Sequence, residues 1–468
     1  MRCTRRRIGT AVTVALMVAV CLSAGCGDRK PTPPNIVVVV LDTVRRDVAE
    51  LSPSGVSFTP NVDRLASEGT TFTNAWATGP WTVPSHASML TGLLPSSHGC
   101  TGYSTFLSDE HRTVAEHLAG GGYETVAFFS NPWLTDRMSG MLRGFDMRYV
   151  ETGHDDTRVF NIVDQGGRET SENIAEWLDE RSDDRPFLMF VNFLEPHLPY
   201  SPPEEIRREF LPDLPPRSII TTEWALEFNA GIHPPETADW ERVIRLYLGD
   251  VATADAYLGG VLRELERHDL YDNTAIIVTS DHGENLGDNG YMDHQFGLFE
   301  TLLAVPLVVK TPAQTEPAVR KDPAMVTDIF PTVLELAGLE VPPDLPYARS
   351  LLGEPIHDER PVIAEYSGAG TPLIEVLKTI NPELDVSQMM LAGASVRVGH
   401  VRFTLTSDGS GNLQDFAKDP ADRIDLARHG RAIGNNMVRL LPAVSQPSSE
   451  AEVDEEMRES LRSLGYVP

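Results

Sequence analysis

Asn35-Ile36-Val37-Val38-Val39-Val40-Leu41 runs straight into Asp42, and Thr274-Ala275-Ile276-Ile277-Val278-Thr279-Ser280 runs straight into Asp281-His282-Gly283-Glu284. Neither stretch alternates apolar with polar residues. A continuous β-branched run of this length is the pattern of a strand buried on both faces, as in a parallel sheet. In an open α/β sheet the ligand site lies outside the carboxyl ends of the strands. Asp42, Asp281 and His282 therefore fall where chemistry takes place, and all three are metal-ligating residue types.

Further elements follow on either side. Residues 125–130 (TVAFFS) and 187–193 (FLMFVNF) read as buried strands, 305–310 and 361–365 as two more, and 240–268 as a long amphipathic helix. Thr59-Pro60 before residues 61–68 and Gly69 spells a capped helix with proline in its first turn. The alternation predicts an α/β fold whose large domain has a mainly parallel, doubly wound sheet. After about residue 366 the pattern changes. Residues 395–398, 402–406 and 413–416 read as short strands around Gly399-His400 and the turn Asp408-Gly409-Ser410-Gly411, with a helical turn at 419–426. This predicts a small C-terminal antiparallel sheet with a helix, and an acidic, solvated stretch at 448–459. The expected organisation is a signal peptide over 1–25, a tether over 26–34, a catalytic domain over 35–365 and a small α+β subdomain over 366–468.

The signal assignment rests on Arg2, Arg5, Arg6 and Arg7 ahead of an apolar stretch at 8–20 that is short for a membrane span. Leu22-Ser23-Ala24-Gly25-Cys26 resembles a bacterial lipobox, which makes Cys26 the expected lipidation site and the extracytoplasmic face of the cell envelope the expected location. Plain secretion and an uncleaved anchor are the alternatives. Residues 28–34 (DRKPTPP) form a Pro-rich tether. Of the four cysteines, Cys3, Cys21 and Cys26 belong to this segment, which leaves Cys100 alone and excludes a disulfide framework. Cys100 reads as a packed small side chain.

The 468 residues carry a formal charge of −29. That excess argues against a nucleic-acid partner, since phosphate neutralisation needs basic patches. Between the two acid-tipped strands lies Trp81-Thr82-Val83-Pro84-Ser85-His86-Ala87-Ser88, which places the Thr82 hydroxyl at the N-cap of a helix with Pro84 in its first turn. A helix start offers free N–H groups and partial positive charge to an anion. A metal beside a hydroxyl at such a helix start suits attack on a tetrahedral anionic ester.

At these residues the chain resembles the sulfatase branch of the alkaline-phosphatase superfamily. The resemblance runs through the opening strand with Asp42, residues 59–69 followed by Phe72-Thr73-Asn74-Ala75, and residues 81–92 with Pro95 and His98-Gly99. It continues through Glu195-Pro196-His197-Leu198-Pro199-Tyr200, Asp281–Glu284, His294 with Leu298-Phe299-Glu300, and Asp328 with Pro331-Thr332. Ser350-Leu351-Leu352 and residues 413–426 close the series. Members carry Cys or Ser in a C-x-P-x-R type motif, oxidised to formylglycine, whose hydrate attacks sulfate.

This chain departs from that pattern. Thr82 takes the nucleophile position, His86 the arginine position and Thr43 the second aspartate, and no lysines match the sulfate-binding lysines. Threonine cannot yield an aldehyde, because its hydroxyl sits on a secondary carbon. The set Asp42, Thr82, Asp281 and His282 is similar to the single-metal site of Thr-nucleophile phosphotransferases in the same superfamily. The resemblance implies one divalent ion, zinc or manganese rather than calcium. His197, His294 and His86 are the expected substrate-binding or proton-donating residues, while His98 reads as structural. The expected activity is hydrolysis or transfer of a sulfuric or phosphoric ester through Thr82, for an anionic substrate whose identity depends on loops at 131–157 and 200–239. The alternatives are a sulfatase working without formylglycine and a non-catalytic envelope binding protein on this scaffold.

Overall fold

The computed structural model describes residues 33–52, 55–150, 165–182, 184–355, 360–418 and 437–441. The signal segment, Cys26, the helical turn at 419–426 and the acidic stretch at 448–459 lie outside the described residues.

The large sheet has eight strands. In chain order they are β1 (Asn35–Leu41), β2 (Thr70–Phe72), β3 (Glu124–Phe129), β4 (Asp146–Tyr149), β5 (Phe187–Phe193), β6 (Thr274–Thr279), β7 (Leu307–Lys310) and β8 (Ala318–Arg320). Across the sheet they run β8-β2-β7-β6-β1-β5-β3-β4. The block β6-β1-β5-β3-β4 is parallel throughout. Only β7 runs against it, pairing antiparallel with both β6 and β2. The mainly parallel sheet foreseen from the sequence is therefore present, with one reversed strand.

All seven residues of β1 are buried, because both faces of the sheet are covered. Ile36, Val38 and Val40 pack with Val83, Ala87 and Leu90 of helix α2 (Thr82–Thr91). Val37, Val39 and Leu41 pack on the other face with Leu65 of α1 (Pro60–Glu68), Ile174 of α3 (Gly167–Glu180), and Leu246, Val251 and Leu258 of α4 (Trp240–Arg267). Each such side chain contributes about 1.5–3 kcal/mol on burial, and successive residues point to opposite faces.

The second sheet is antiparallel, of β9 (Val362–Tyr366), β10 (Gly393–Val398), β11 (Val401–Thr406) and β12 (Gly411–Asp415) in that order. The sequence assigns the strand at 361–365 to the large sheet; the structure corrects this, since its five residues pair with β10. So short an apolar run does not reveal its partner.

Candidate active site

β1 and β6 are neighbours in register from Asn35↔Thr274 to Val40↔Thr279, so their carboxyl ends deliver Asp42 and Asp281 to the same edge of the sheet. Asp42 extends the ladder, its N–H donating to Phe193 O at 3.0 Å. Its Oδ2 accepts from Asn131 Nδ2 at 2.9 Å and Asn192 Nδ2 at 3.3 Å. Asp281 Oδ1 accepts from the N–H of His282 at 3.0 Å and of Thr43 at 3.4 Å. His282 Nδ1 lies 2.9 Å from Gly283 O. A carbonyl only accepts, so Nδ1 carries the proton and Nε2 keeps its lone pair. Gly283 is required at this bend, where a Cβ would stand 2.0 Å from Thr301 O.

Three atoms are left over. Asp42 Oδ1, Asp281 Oδ2 and His282 Nε2 are buried with no hydrogen-bond partner. Nε2 stands 3.2 Å from Asp281 Oδ2 and 3.9 Å from Asp42 Oδ1. Lone pairs buried without a donor are expensive, and three converging ones with no exposure of their side chains fit a divalent cation. The sequence-derived ligands Asp42, Asp281 and His282 are thus brought together. Burial, together with the Asp281 charge, pushes the Asp42 carboxyl up to about 6. Burial acts upward on Asp281 too, but His282 and His86 outweigh it and hold that carboxyl well below the usual range.

Thr82 opens α2, yet it is not the cap: Trp81, extended at φ −159° and ψ 171°, holds that position and Thr82 is the first helical residue. The expected N-cap is therefore shifted by one residue. Ser85 Oγ donates to Asp281 O. His86 Nδ1 lies 3.0 Å from Thr82 O and 3.3 Å from Asp281 Oδ2. These contacts fasten the first turn of α2 to the Asp281 strand end. The Thr82 hydroxyl makes no hydrogen bond among the described residues, and the residue is 2% exposed. His86, placed by sequence among substrate-binding residues, faces the Asp281 carboxylate instead of open space, and its Nε2 is buried without a partner.

The other two histidines lie beside His282 in turn. The His294 ring lies 4.3 Å from that of His282, and the His197 ring 5.0 Å from that of His294. Burial, then His294, takes His197 down to about 4, so it is neutral at ordinary pH. His294 Nδ1 is 2.8 Å from Asp293 Oδ1 and 3.4 Å from Glu284 Oε2. Asn131, Asn192 and Asp293 were not singled out from sequence. Asn192 had a signal, a lone amide inside an apolar strand; Asn131 and Asp293 had none. His98 is structural as expected: its Nδ1 accepts from Cys100 N–H and its Nε2 faces Ser88 Oγ, both at 3.0 Å, and burial takes it to about 3. Cys100 is buried, its thiol pushed up to about 12 by burial.

An open, mainly parallel sheet with acids and imidazoles gathered at its carboxyl edge beside a helix-borne hydroxyl defines an alkaline-phosphatase-like fold. The chain belongs to the sulfatase family of ester hydrolases: the family model named Sulfatase matches residues 34–339. A sulfatase of Formosa agariphila is 24% identical over 88% of each chain. A choline-sulfatase of Rhizobium meliloti is 24% identical over 93% of each. The phosphonate monoester hydrolase of Agrobacterium radiobacter superposes with a TM-score of 0.68 at 23% identity, covering 87% of this chain and 94% of that one. That of Silicibacter pomeroyi gives 0.65 at 20% identity, over 87% and 95%.

Proposed function

We propose that this protein hydrolyses, or transfers the acid group of, a sulfuric or phosphoric ester with Thr82 as nucleophile in place of formylglycine. The observation that carries the reading is the convergence of three unpartnered buried atoms, on Asp42, Asp281 and His282, at a strand end to which the first turn of the Thr82 helix is fastened.

One divalent ion, zinc or manganese, fits that donor set, with Thr82 as a further ligand, and supplies positive charge that lowers the pKa of a nearby hydroxyl and draws in an anionic ester. The chain's own residues do the rest. Asn131 and Asn192 orient Asp42; Ser85 and His86 fix α2 against Asp281. The free N–H groups at the start of α2 face the oxyanions. Thr82, its hydroxyl proton released to solvent, bonds through oxygen to phosphorus or sulfur as the bond to the departing alcohol oxygen breaks; that oxygen takes a proton from the His294 imidazolium or from water, while neutral His197 hydrogen-bonds a substrate oxygen. Water then cleaves the ester on Thr82. A threonine ester has no second hydroxyl through which to expel sulfate by collapse to an aldehyde, which favours phosphoric over sulfuric esters.

Relatives named for choline, aryl and N-acetylglucosamine sulfates support an anionic ester as substrate class. A non-catalytic binding protein is the competing reading, and the intact donor set speaks against it. Assays of aryl sulfate, phosphate monoester, phosphodiester and phosphonate with zinc, manganese and calcium test the proposal. Turnover of at least one class, absent in Thr82→Ala, supports it; no turnover with any of them sinks it. The lipid anchor at Cys26 and an extracytoplasmic location belong to the same proposal.

A further inference from the structure

Beside the ion at Asp42, Asp281 and His282, the geometry points to a second divalent-cation site formed by Glu284, Asp293 and His294. The short antiparallel pair of Asn285–Leu286 with Met292–Asp293 sets Asn285 opposite Asp293. Glu284 and His294 flank that pair, so side chains ten positions apart meet. One ligand atom from each of the three residues falls within 4.8 Å of the others. Glu284, Asp293 and His294 are 0%, 1% and 2% exposed.

One further observation points to a cation. Glu284 Oε1 is buried without a hydrogen-bond partner. Charge balance agrees. Two carboxylates with a neutral imidazole and a divalent ion sum to zero. Ligands of a tetrahedral zinc site stand about 3.3–3.6 Å apart, and the Glu284 Oε2 to His294 Nδ1 separation is 3.4 Å. The shorter 2.8 Å contact of Nδ1 with Asp293 Oδ1 serves equally as a hydrogen bond, so the competitor for the space is a proton. Coordination through Nδ1 leaves the Nε2–H of His294 to hydrogen-bond a substrate oxygen, with water then protonating the departing alcohol. The mixed imidazole and carboxylate set suits zinc or manganese.

The proposal adds an ion to the one-metal reading and stands apart from it. The purified protein is saturated with zinc, desalted, and its metal per chain measured by plasma mass spectrometry beside Asp281→Asn, Glu284→Gln and Asp293→Asn. Two ions per chain, falling to one in Glu284→Gln and Asp293→Asn, is the expected result. One ion per chain that only Asp281→Asn removes overturns the second site and leaves the first standing; no bound metal overturns both. Anomalous diffraction from the unmutated protein at the zinc edge reads the same question without variants: two peaks support the site, and a single peak at Asp42, Asp281 and His282 overturns it.

Discussion

Replacing Thr82 with alanine removes one hydroxyl and one methyl group from the first turn of α2, where Trp81 is the cap and the hydroxyl bonds to no described residue. Stability therefore changes by about 1 kcal/mol or less, while ester turnover falls to background. Thr82→Ser keeps the hydroxyl and should retain part of the rate. Paired thermal melts and rate measurements check this, and a large loss of stability in Thr82→Ala contradicts the assigned role. Asp42 supplies a pH test. Its carboxyl is pushed up to about 6, above the ordinary value, so the metal-free folded state holds that proton until the pH rises through about 6. Metal binds the deprotonated form, so affinity should be weak at about pH 5 and strengthen toward about pH 7. A chelator competition titration reads this directly, and a flat profile across that range speaks against Asp42 as a ligand. Asp42, Asp281 and His282 were legible in the sequence because each ends, or directly follows, a strand too apolar to misread. Asn131 was not, since nothing local shows that a loop amide will meet a carboxylate 89 positions away.

Among the elements, α1 shows how a local signal can be right in place and wrong in cause. Thr59 precedes Pro60 as a cap residue should, yet its side chain makes no capping bond. The cap comes from Asp255 on α4, which accepts from Asn61 N–H and Val62 N–H, both at 2.9 Å, and from Asn61 Nδ2 at 2.7 Å. Asp255→Ala leaves those donors without their acceptor and should lower stability by about 2–4 kcal/mol. Chemical denaturation measures it; a change below about 0.5 kcal/mol, the size of an ordinary surface substitution, means that the helix start is satisfied otherwise. Thr59→Ala should cost far less, the reverse of what the sequence alone suggests. Strand periodicity likewise reveals burial and not partners: the reversed β7 and the transfer of β9 to the small sheet are both decided by pairing. The three strands after residue 392 were legible because each is set off by a glycine turn.

For the whole molecule, the sheet gathers Asp42, Asp281, Glu284 and Asp293 into one buried region of a chain already carrying −29. Concentrating acid there destabilises the fold unless cations or imidazolium rings offset it, so chelation should lower the melting temperature and zinc or manganese restore it. The segment ending at Cys26 bears on location. Cys26→Ala should abolish incorporation of labelled fatty acid and release the protein from membranes, and unchanged acylation contradicts lipidation at that residue. The central claim is that the molecule turns over an ester through Thr82. The direct measurement is mass spectrometry of the protein quenched shortly after mixing with a phosphate ester and metal, followed by peptide mapping. A transient phosphoryl group is expected on the peptide containing Thr82, absent in Thr82→Ala together with activity; full activity in Thr82→Ala, with no adduct on the unmutated protein, contradicts nucleophilic attack by Thr82.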